Sequence, residues 1–365
     1  MIKKTFLALL TSLSLWGLGF SSISAQPAGA EGDNFIYIVE PGDTLGNLAE
    51  LYTTRSQLWR QLQQINQIAD PAALPIGKQL KIPFDLIPVV ATEATLIHSQ
   101  GPVWVNEQSV SHSLPLKSGD TIRTGATGFA TLQLEDQSTL SLPNNSQLHI
   151  KQLNAFERAR LTDAILELQS GTLETRVAPD QSGVGRFEVH TPISVTGVRG
   201  TDLRIHAHTQ STNAELLSGK AQFTTSTHPY QTLQPAQGVV ITPNGNSQIS
   251  PLLPAPPISA AEQGSTGWHS VLEPVAGADH YIVQITLDPE GAQVVNRFTL
   301  AANQTIIPLR SSGPGDHFAF IRAVDQYGLM GLDSHLSFPG QLTLTSSDGA
   351  SIFSGYGLPI LLNEY

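Results

Sequence analysis

The sequence contains no cysteine, which excludes disulfide bonds, a cysteine nucleophile and a lipid anchor through an N-terminal cysteine. Charged residues are also scarce: they make up 13% of the 365 residues, and acidic residues outnumber basic ones by 30 to 19. A formal net charge of −11 gives no attraction to nucleic acid or to anionic lipid. We therefore expect no nucleic-acid partner. The few charges and many small polar residues are typical of extended β-surfaces.

Long apolar runs are missing too, except at the N-terminus. There the basic MIKK precedes TFLALLTSLSLWGLGF, and stretches of small residues end at Ala25 and at Ala30. This order predicts a secretory signal peptide over residues 1–25, with cleavage after Ala25 or Ala30. A retained membrane anchor is the alternative, although the run is shorter than the about 20 residues that a spanning helix needs. We expect an exported protein with no stable membrane insertion.

Proline-rich seams divide the remaining chain. The densest, ISPLLPAPPIS at residues 249–259, holds too many prolines for a helix or a central strand. The expected organisation is a module at residues 34–84, a linker at 85–92, a module at 93–248, a proline-rich linker at 249–265, a module at 266–339 and an unassigned tail at 340–365.

The first module is predicted to fold as a strand, two helices and a strand. FIYIV is an alternating strand, PGDT is a turn, and Thr44 can cap a helix whose apolar residues follow at helical spacing. Thr54 and Gln57 fit a capping box for a second helix, which ends near Asn66. KQLKIP is the closing strand.

This module resembles a LysM domain. YIVEPGDTLGNLAELY and NQIADPAALPIGKQLKIP match the two ends of that family's pattern over the whole module. The resemblance implies binding of polymers that contain N-acetylglucosamine, usually peptidoglycan, between the loop after the first strand and the loop before the last. The implied glycan-binding residues are Gly42, Asp43, Thr44 and Leu45 on one side and Ile68, Ala69, Asp70, Leu74, Pro75 and Ile76 on the other. Backbone groups of these loops would bind the N-acetyl group, while Leu45, Ile68 and Ile76 would cover the sugar ring.

The second module shows a short repeat. Units of the form apolar-x-apolar recur every eight residues as Leu132/Leu134, Leu140/Leu142 and Leu148/Ile150. Each unit is typical of a strand with one buried face, and the period predicts strands stacked as a solenoid or a tightly wound roll. A two-sheet sandwich is the alternative. The charge-rich NAFERARLTDA interrupts the repeat and is interpreted as an insertion.

This second module resembles the periplasmic FecR domain. LKSGDTIRTGATGFATLQLEDQSTLSLPNNSQLHI, FEVHTPISVTGVRGTDLRI and NAELLSGKAQFT follow that family's pattern in order. The resemblance implies a β-solenoid-like fold and a role in protein interaction. Signalling members couple this domain to a membrane helix and a cytoplasmic anti-sigma segment. Neither feature is recognised in this sequence, so that mechanism is not carried over.

The stretch TGVRGTD, at residues 196–202, could indicate chemistry because glycines frame an arginine and an aspartate. It lacks the Lys-Ser/Thr ending of a phosphate-binding loop, and no G-x-S-x-G nucleophile frame occurs in the chain. A structural corner remains, with Gly197 and Gly200 allowing positive φ or close approach. Arg199 would fold inward onto carbonyl oxygens, Asp202 or Asp120, or else contact a partner. The residues of this FecR-like signature are Gly197, Arg199, Gly200, Thr201 and Asp202.

The third module has the pattern of a β-sandwich. HYIVQITL places Tyr281, Val283, Ile285 and Leu287 on one face, HFAFIRAVD is a second long strand, and Trp268 offers a core anchor. The module resembles fibronectin type III domains, through WHSVLEPVAGADHYIVQI and GPGDHFAFIRAVDQYGLMG.

Few other residues suggest chemistry. His206 and His208 lie on one strand face, as in some zinc sites, but no His-x-x-x-Asp accompanies them. Glu135 and Asp136 fall in a turn, where acidic residues bind the local backbone. We expect no catalytic, cofactor-binding or metal-binding residues.

The sequence thus predicts a multidomain, mainly β protein: a small βααβ LysM module, an all-β FecR-like solenoid or roll, and a fibronectin III-like sandwich. The predicted function is a non-enzymatic envelope protein, peptidoglycan-associated in the periplasm of a Gram-negative bacterium, that presents its β-modules to an envelope protein. A periplasmic sensor or co-regulator in a FecR-type signalling pathway is one alternative. A cell-wall hydrolase with an unrecognised active site is the other.

Overall fold

A computed structural model defines the fold of this chain. It describes residues 30–31, 33–158, 161–176, 186–199, 202–228, 231–264, 267–311 and 313–340. The predicted signal peptide and residues 341–365 of the tail lie outside the described residues. Within them the protein is mainly β, with one small helical module at the N-terminus, as the sequence predicts.

The N-terminal module contains both α-helices of the described chain. Its elements are β1 (Ala30–Glu31), β2 (Asn34–Ile38), α1 (Leu45–Thr53), a 3₁₀ turn (Ser56–Leu58), α2 (Trp59–Ile65) and β3 (Gln79–Pro83). The strands form an antiparallel sheet in the order β1-β2-β3. Both helices pack on this sheet through fully buried side chains such as Leu48 and Leu62, opposite Phe35 and Leu80.

The helix starts differ from expectation at one point. Thr44 caps α1 as predicted, because its Oγ1 accepts a hydrogen bond from the Asn47 amide at 3.1 Å. The predicted capping box at Thr54 and Gln57 is wrong. Thr54 has a φ of 56° and ends α1 in the left-handed conformation, whereas a residue that starts a helix needs extended backbone.

The described residues of the central module form eighteen strands. They are β4 (Val89–Ala91), β5 (Ala94–Gln100), β6 (Val103–Val105), β7 (Gln108–Ser109), β8 (Leu114–Leu116), β9 (Thr121–Thr124), β10 (Phe129–Gln133), β11 (Thr139–Leu142), β12 (Gln147–Phe156), β13 (Leu161–Arg176), β14 (Arg186–His190), β15 (Val195–Arg199), β16 (Asp202–Ala207), β17 (Thr212–Leu216), β18 (Lys220–Thr224), β19 (Gln231–Leu233), β20 (Gln237–Ile241) and β21 (Ser247–Pro251). A 3₁₀ turn at Phe84–Leu86 precedes them.

These strands wind between two layers. A strand commonly pairs with its successor and with the third strand after it, as in β13 with β16, β15 with β18 and β17 with β20. The apolar-x-apolar units at residues 132–134, 140–142 and 148–150 face inward and are buried. The winding explains the repeat: each turn of the chain supplies one more inward-facing pair to a continuous core.

The charge-rich stretch at residues 154–164 is not an insertion outside the strands. Its described residues end β12 and begin β13, two antiparallel strands of ten and sixteen residues. The N-terminal module packs on these strand ends, where Phe156 and Leu161 belong to its apolar core. The ring of Phe156 stacks on Phe84, with 4.2 Å between the ring centroids. Residues 85–92, predicted as a linker, also contribute β4, which pairs with β12.

The part of the C-terminal module that the structure describes has seven strands in two sheets. They are β22 (Glu262–Gly264), β23 (Gly267–Val271), β24 (Ala278–Thr286), β25 (Val294–Ala301), β26 (Ile306–Leu309), β27 (Asp316–Asp325) and β28 (Met330–Pro339). One sheet has the order β22-β23-β26 and the other β25-β24-β27-β28. Tyr281, Val283 and Ile285 are buried between the sheets as predicted, whereas Leu287 lies beyond the end of β24 and is exposed. The fibronectin type III likeness stays a prediction.

The proline-rich stretch before this module is held by contacts. Its first residues complete β21, which pairs with β20. Further along, the Leu253 carbonyl accepts a hydrogen bond from the Leu332 amide at 2.9 Å. The side-chain hydroxyl of Ser334 donates to the Pro256 carbonyl. The stretch therefore follows the surface of the C-terminal module.

Candidate functional site

The two loops predicted to hold a glycan lie side by side. The Val39 amide donates to the Lys78 carbonyl at 3.0 Å, and the Gly77 amide donates to the Val39 carbonyl at 2.8 Å. These bonds continue the pairing of β2 with β3 beyond the strand ends. The loop that follows β2 is thereby fixed against the loop that precedes β3.

The first loop is a tight turn held by a carboxylate. Pro41 and Gly42 occupy its centre, and Gly42 has a φ of 94°, which a residue with a side chain rarely adopts. The Asp43 carboxylate accepts hydrogen bonds from the Glu40 amide at 2.7 Å and from the Tyr37 hydroxyl at 2.9 Å. Asp43 therefore supports the turn from inside.

Two tyrosines beneath this turn remain protonated at neutral pH. Burial, followed by the hydrogen bond to Asp43, raises the pKa of Tyr37 well above its ordinary value of 10. Burial, then the negative charges of Asp43 and Glu40, raises the pKa of Tyr52 to about 12. The Tyr37 hydroxyl can thus donate to Asp43 over the whole physiological range.

The ten predicted glycan-binding residues differ in accessibility. Six are exposed: Gly42, Thr44, Ala69, Asp70, Pro75 and Ile76. Asp43 and Leu74 are half-buried. Leu45 and Ile68 belong to the apolar core, so their side chains support the loops and do not cover a sugar ring. Ile76 is 68% exposed and is the prominent apolar side chain of the pair of loops.

The second loop is anchored from below by Asn66. Its side-chain amide donates to the carbonyls of Leu62 and Lys81 at 2.9 and 2.8 Å, and its Oδ1 accepts from the Lys81 amide at 2.6 Å. One side chain therefore joins the end of α2 to β3. The loop in between, residues 67–78, also contains an Asp70 carboxylate that accepts from the Ala72 amide at 2.9 Å. Such a preformed surface can offer backbone groups and an apolar contact to a sugar.

Comparison with protein families agrees with this geometry. The family model for the LysM domain matches residues 37–83, and the model for the FecR protein family matches residues 120–222. The chain contains a LysM domain and a FecR domain. LysM domains support peptidoglycan binding, and both families are non-catalytic binding or signalling domains, typically extracellular or periplasmic.

Individual proteins are more distant. No curated protein matches the chain. A solved structure of a protein described as an anti-sigma factor from Parabacteroides distasonis ATCC 8503 is 16% identical; the match covers 36% of this chain and 59% of that one, with a TM-score of 0.30. The extracellular domain of a protein described as a one-component system from B. thetaiotaomicron is 8% identical over 62% of this chain and 34% of that one, with a TM-score of 0.19. This chain thus spans less than two thirds of each, and likenesses this distant assign it neither a partner nor an activity.

The glycine-framed stretch of the FecR domain forms strands at both ends. Gly197 lies in β15, between partners in β14 and β18, and its φ is not positive. A Cβ added there would meet only the Gln222 carbonyl oxygen, at 3.8 Å. Gly197 therefore uses neither the positive φ nor the close backbone approach that glycine allows. The carboxylate of Asp202 lies 3.9 Å from Arg176, while the Arg199 side chain, Gly200 and Thr201 lie outside the described residues.

The histidine pair of the FecR domain is engaged in hydrogen bonds. His206 is buried; its Nε2 lies 2.9 Å from the Glu215 carboxylate and its Nδ1 lies 2.9 Å from the Thr172 hydroxyl. His208 is exposed and stacks on His206. Both ring nitrogens of His206 therefore have protein partners. In the part of the chain that the structure describes, no three His, Asp or Glu side chains are grouped to hold a metal ion.

A buried cluster of charges joins the FecR domain to the C-terminal module, and the sequence did not reveal it. We define it as the junction cluster: Glu174, Arg204 and Glu215 from the FecR domain and Arg297, Arg322 and Asp333 from the C-terminal module. Glu174 accepts from Arg297 at 2.8 Å and from Arg322 at 2.9 Å. Asp333 accepts from Arg322 at 2.7 Å and also from Arg204.

The junction cluster balances three guanidinium groups with three carboxylates. Arg204 and Arg322 are each only 2% exposed. Arg204 also donates to the Gly331 carbonyl at 2.8 Å, and Glu215 accepts from the Met330 amide at 3.2 Å. Charges removed from water to this degree are tolerated only when paired and hydrogen-bonded, which is the case here.

The surrounding charges change the titration of these groups. Burial tends to raise the pKa of Glu174, but the positive charges of Arg322, Arg297 and Arg204 outweigh it, and the net pKa lies well below the ordinary range. Burial lowers the pKa of Arg204 and Arg297, which remain charged at any physiological pH. Glu174 is therefore ionised near neutral pH when the C-terminal module is docked on the FecR domain.

A pH dependence follows from Glu174. Folding lowers the pKa of Glu174, so in acid the unfolded chain binds more protons than the folded chain. The stabilisation by Glu174 is therefore complete above the unfolded pKa of about 4.3. It is lost as the pH falls from that value through the lower folded pKa. We expect the difference in unfolding free energy between the natural protein and a Glu174→Gln variant to be constant from about pH 7 to 5 and to shrink below about 4.3. Urea unfolding at a series of pH values measures this. A difference that persists unchanged at about pH 2.5 would contradict it.

No helix among the described residues is both long and apolar enough to cross a membrane.

Proposed function

We propose that this protein is an exported, peptidoglycan-associated envelope protein that acts by binding and breaks no bonds. The pair of loops around Gly42 and Ile76 binds the N-acetylglucosamine-containing strand. The observation that carries this is the fixed side-by-side placement of the two loops in a chain segment that matches the LysM family. The predicted signal peptide at residues 1–25 supports export, and the periplasm of a Gram-negative bacterium is the proposed compartment.

The rest of the chain presents β-surfaces to an envelope protein. The LysM domain packs on the β12–β13 hairpin of the FecR domain, and the junction cluster fixes the C-terminal module to the same FecR domain. Three modules joined by buried contacts hold a partner-binding surface at a defined distance from the glycan. Binding to the wall then raises the local concentration of this surface near its partner.

A signalling role is the second candidate, because the FecR match is to a family of binding or signalling domains. In this version the partner is a separate envelope protein that receives a signal when the glycan is bound. Cross-linking in intact cells, followed by identification of the captured protein, distinguishes the two. A partner whose capture depends on glycan binding supports signalling, whereas capture independent of the glycan supports a scaffold.

Ile76→Asp tests glycan binding. Ile76 is highly exposed at the centre of its turn, so the change leaves folding intact while it places a charge against an apolar sugar face. We expect the affinity for insoluble peptidoglycan in a sedimentation assay to fall by about tenfold or more. Ile306→Asp is the matched control, because Ile306 is 61% exposed on the C-terminal module.

Equal sedimentation of the two variants and the natural protein would contradict glycan binding at these loops. The turbidity of the same peptidoglycan suspension provides a second readout. Clearing of the suspension by purified protein would show hydrolysis and overturn the non-enzymatic function. Unchanged melting temperatures of both variants are required for the comparison.

A further inference from the structure

A groove lies where the FecR domain meets the C-terminal module. It has a volume of about 580 Å³, within the range of about 300–1,000 Å³ that is usual for small-molecule sites. The outward face of the β20–β21 hairpin forms its floor, and Tyr327, from the turn between β27 and β28, stands at its side. Neither module forms this groove alone.

The Tyr327 ring is exposed on a turn that is held in place. The Asp325 carboxylate accepts hydrogen bonds from the amides of Tyr327 and Leu329 at 2.8 and 2.9 Å. The Tyr327 carbonyl accepts from the side-chain amide of Asn213, on β17 of the FecR domain, at 3.1 Å. Tyr327 as a whole is 54% exposed. A large aromatic face is thus presented to solvent without the entropy cost of ordering a flexible loop on binding.

The floor of the groove is uncharged and combines polar side chains with the apolar side chains of Val240 and Pro243. Asn244 orders the hairpin turn, since its Oδ1 accepts from the Thr242 hydroxyl at 2.5 Å. The side-chain amides of Asn246 and Gln248 line the groove and make no hydrogen bond to any described residue. None of the described residues that line the groove is charged. This surface therefore offers amide donors and acceptors, with no charged side chain among the described residues that line it.

We propose that this groove binds a neutral saccharide. A sugar has an apolar ring face, which suits the Tyr327 ring, and hydroxyl groups, which suit the side-chain amides of Asn246 and Gln248. The absence of charged lining residues disfavours phosphorylated or carboxylated ligands. An extended peptide fits less well, because it would need an open backbone edge to pair with. Val240 and Gln248 lie directly opposite each other and both line the groove, so the groove lies over side chains and not along such an edge.

The test uses the full chain carrying Ile76→Asp, so that the LysM loops do not contribute. Calorimetric titration with the tetrasaccharide of N-acetylglucosamine, with cellotetraose and with maltotetraose identifies a binder. We expect at least one to bind, and Tyr327→Ala to weaken that binding by about tenfold or more. Tyr327→Phe keeps the ring, and Gln326→Ala changes an exposed neighbour in the same turn; both retain affinity within about threefold.

Glu174→Gln gives an independent measurement, because loosening the junction cluster separates Tyr327 from the hairpin and lowers affinity as well. The proposal is overturned if none of the three tetrasaccharides binds, or if Tyr327→Ala binds as tightly as its parent. It is also overturned if Tyr327→Ala loses only the retention of a protein partner, which would make the groove a protein contact. Matching melting temperatures for the Tyr327 variants exclude unfolding as the cause.

Discussion

Replacing Glu174 by glutamine is expected to lower the free energy of unfolding by about 3–5 kcal/mol. The change conserves shape but removes the negative charge that Arg297 and Arg322 share, at 2.8 and 2.9 Å. The junction cluster then holds three guanidinium groups and only two carboxylates, although Arg322 is only 2% exposed and Arg297 only 9%. The cost is the penalty of the unpaired charge, which exceeds what the intact pair contributes on its own.

The loss should appear first as separation of the C-terminal module. Urea unfolding followed by circular dichroism gives the free energy, and limited proteolysis of residues 252–261 reports separation. Glu107→Gln is the matched control: Glu107 pairs with Arg123 at 3.5 Å, but its side chain is 80% exposed. Exposed pairs contribute little, so no measurable change is expected there. An equally small effect of Glu174→Gln would show that water reaches the junction cluster and that the modules are held by other contacts.

Phe156→Ala is expected to cost about 3–5 kcal/mol at the other junction, between the LysM and FecR domains. Phe156 is buried, stacks on Phe84 and belongs to the apolar core of the LysM domain although it comes from β12. Truncation leaves a cavity between the two domains. Among the described residues, no other contact between aromatic rings joins these domains. The LysM domain should therefore be destabilised while the FecR domain stays folded.

The hydrogen-exchange rates of the amides in residues 34–84 measure this destabilisation directly, with the amides of the FecR domain as the internal reference. Phe156→Leu is the conservative control and should cost less than about 1.5 kcal/mol, since it keeps most of the apolar volume. Unchanged exchange in Phe156→Ala would mean that the LysM domain is stable without the contacts of this side chain.

The site was predictable from the sequence because its parts are local. The PGDT turn requires proline and glycine at its centre, and Thr44 can cap only the helix that follows it. Exposure within the loops was less predictable. Leu45, Ile68 and Ile76 are equally apolar, and only the packing of the two helices decides that the first two are core residues and the third is not.

The capping box failed for a similar reason. Thr54 and Gln57 have suitable side chains and spacing, but the chain must reverse direction between α1 and α2 within a few residues. Thr54 takes the left-handed conformation that makes this reversal. Its hydroxyl then bonds to the carbonyl of Thr53 and is not placed to cap the next helix. Geometry at the end of one helix overrode the local preference for starting another.

The sequence by itself determined the mainly β character, the small helical N-terminal module and the buried eight-residue repeat, because turn residues, helix caps and apolar periodicity act over short distances. Only the tertiary structure decided how the modules join. Arg204 and His206 alternate with apolar residues along β16, a pattern typical of a solvent-facing side. The C-terminal module covers that side and supplies Asp333 and a backbone carbonyl to Arg204. A strand's pattern shows which face is polar, but whether water or another charged surface meets that face depends on residues more than a hundred positions away.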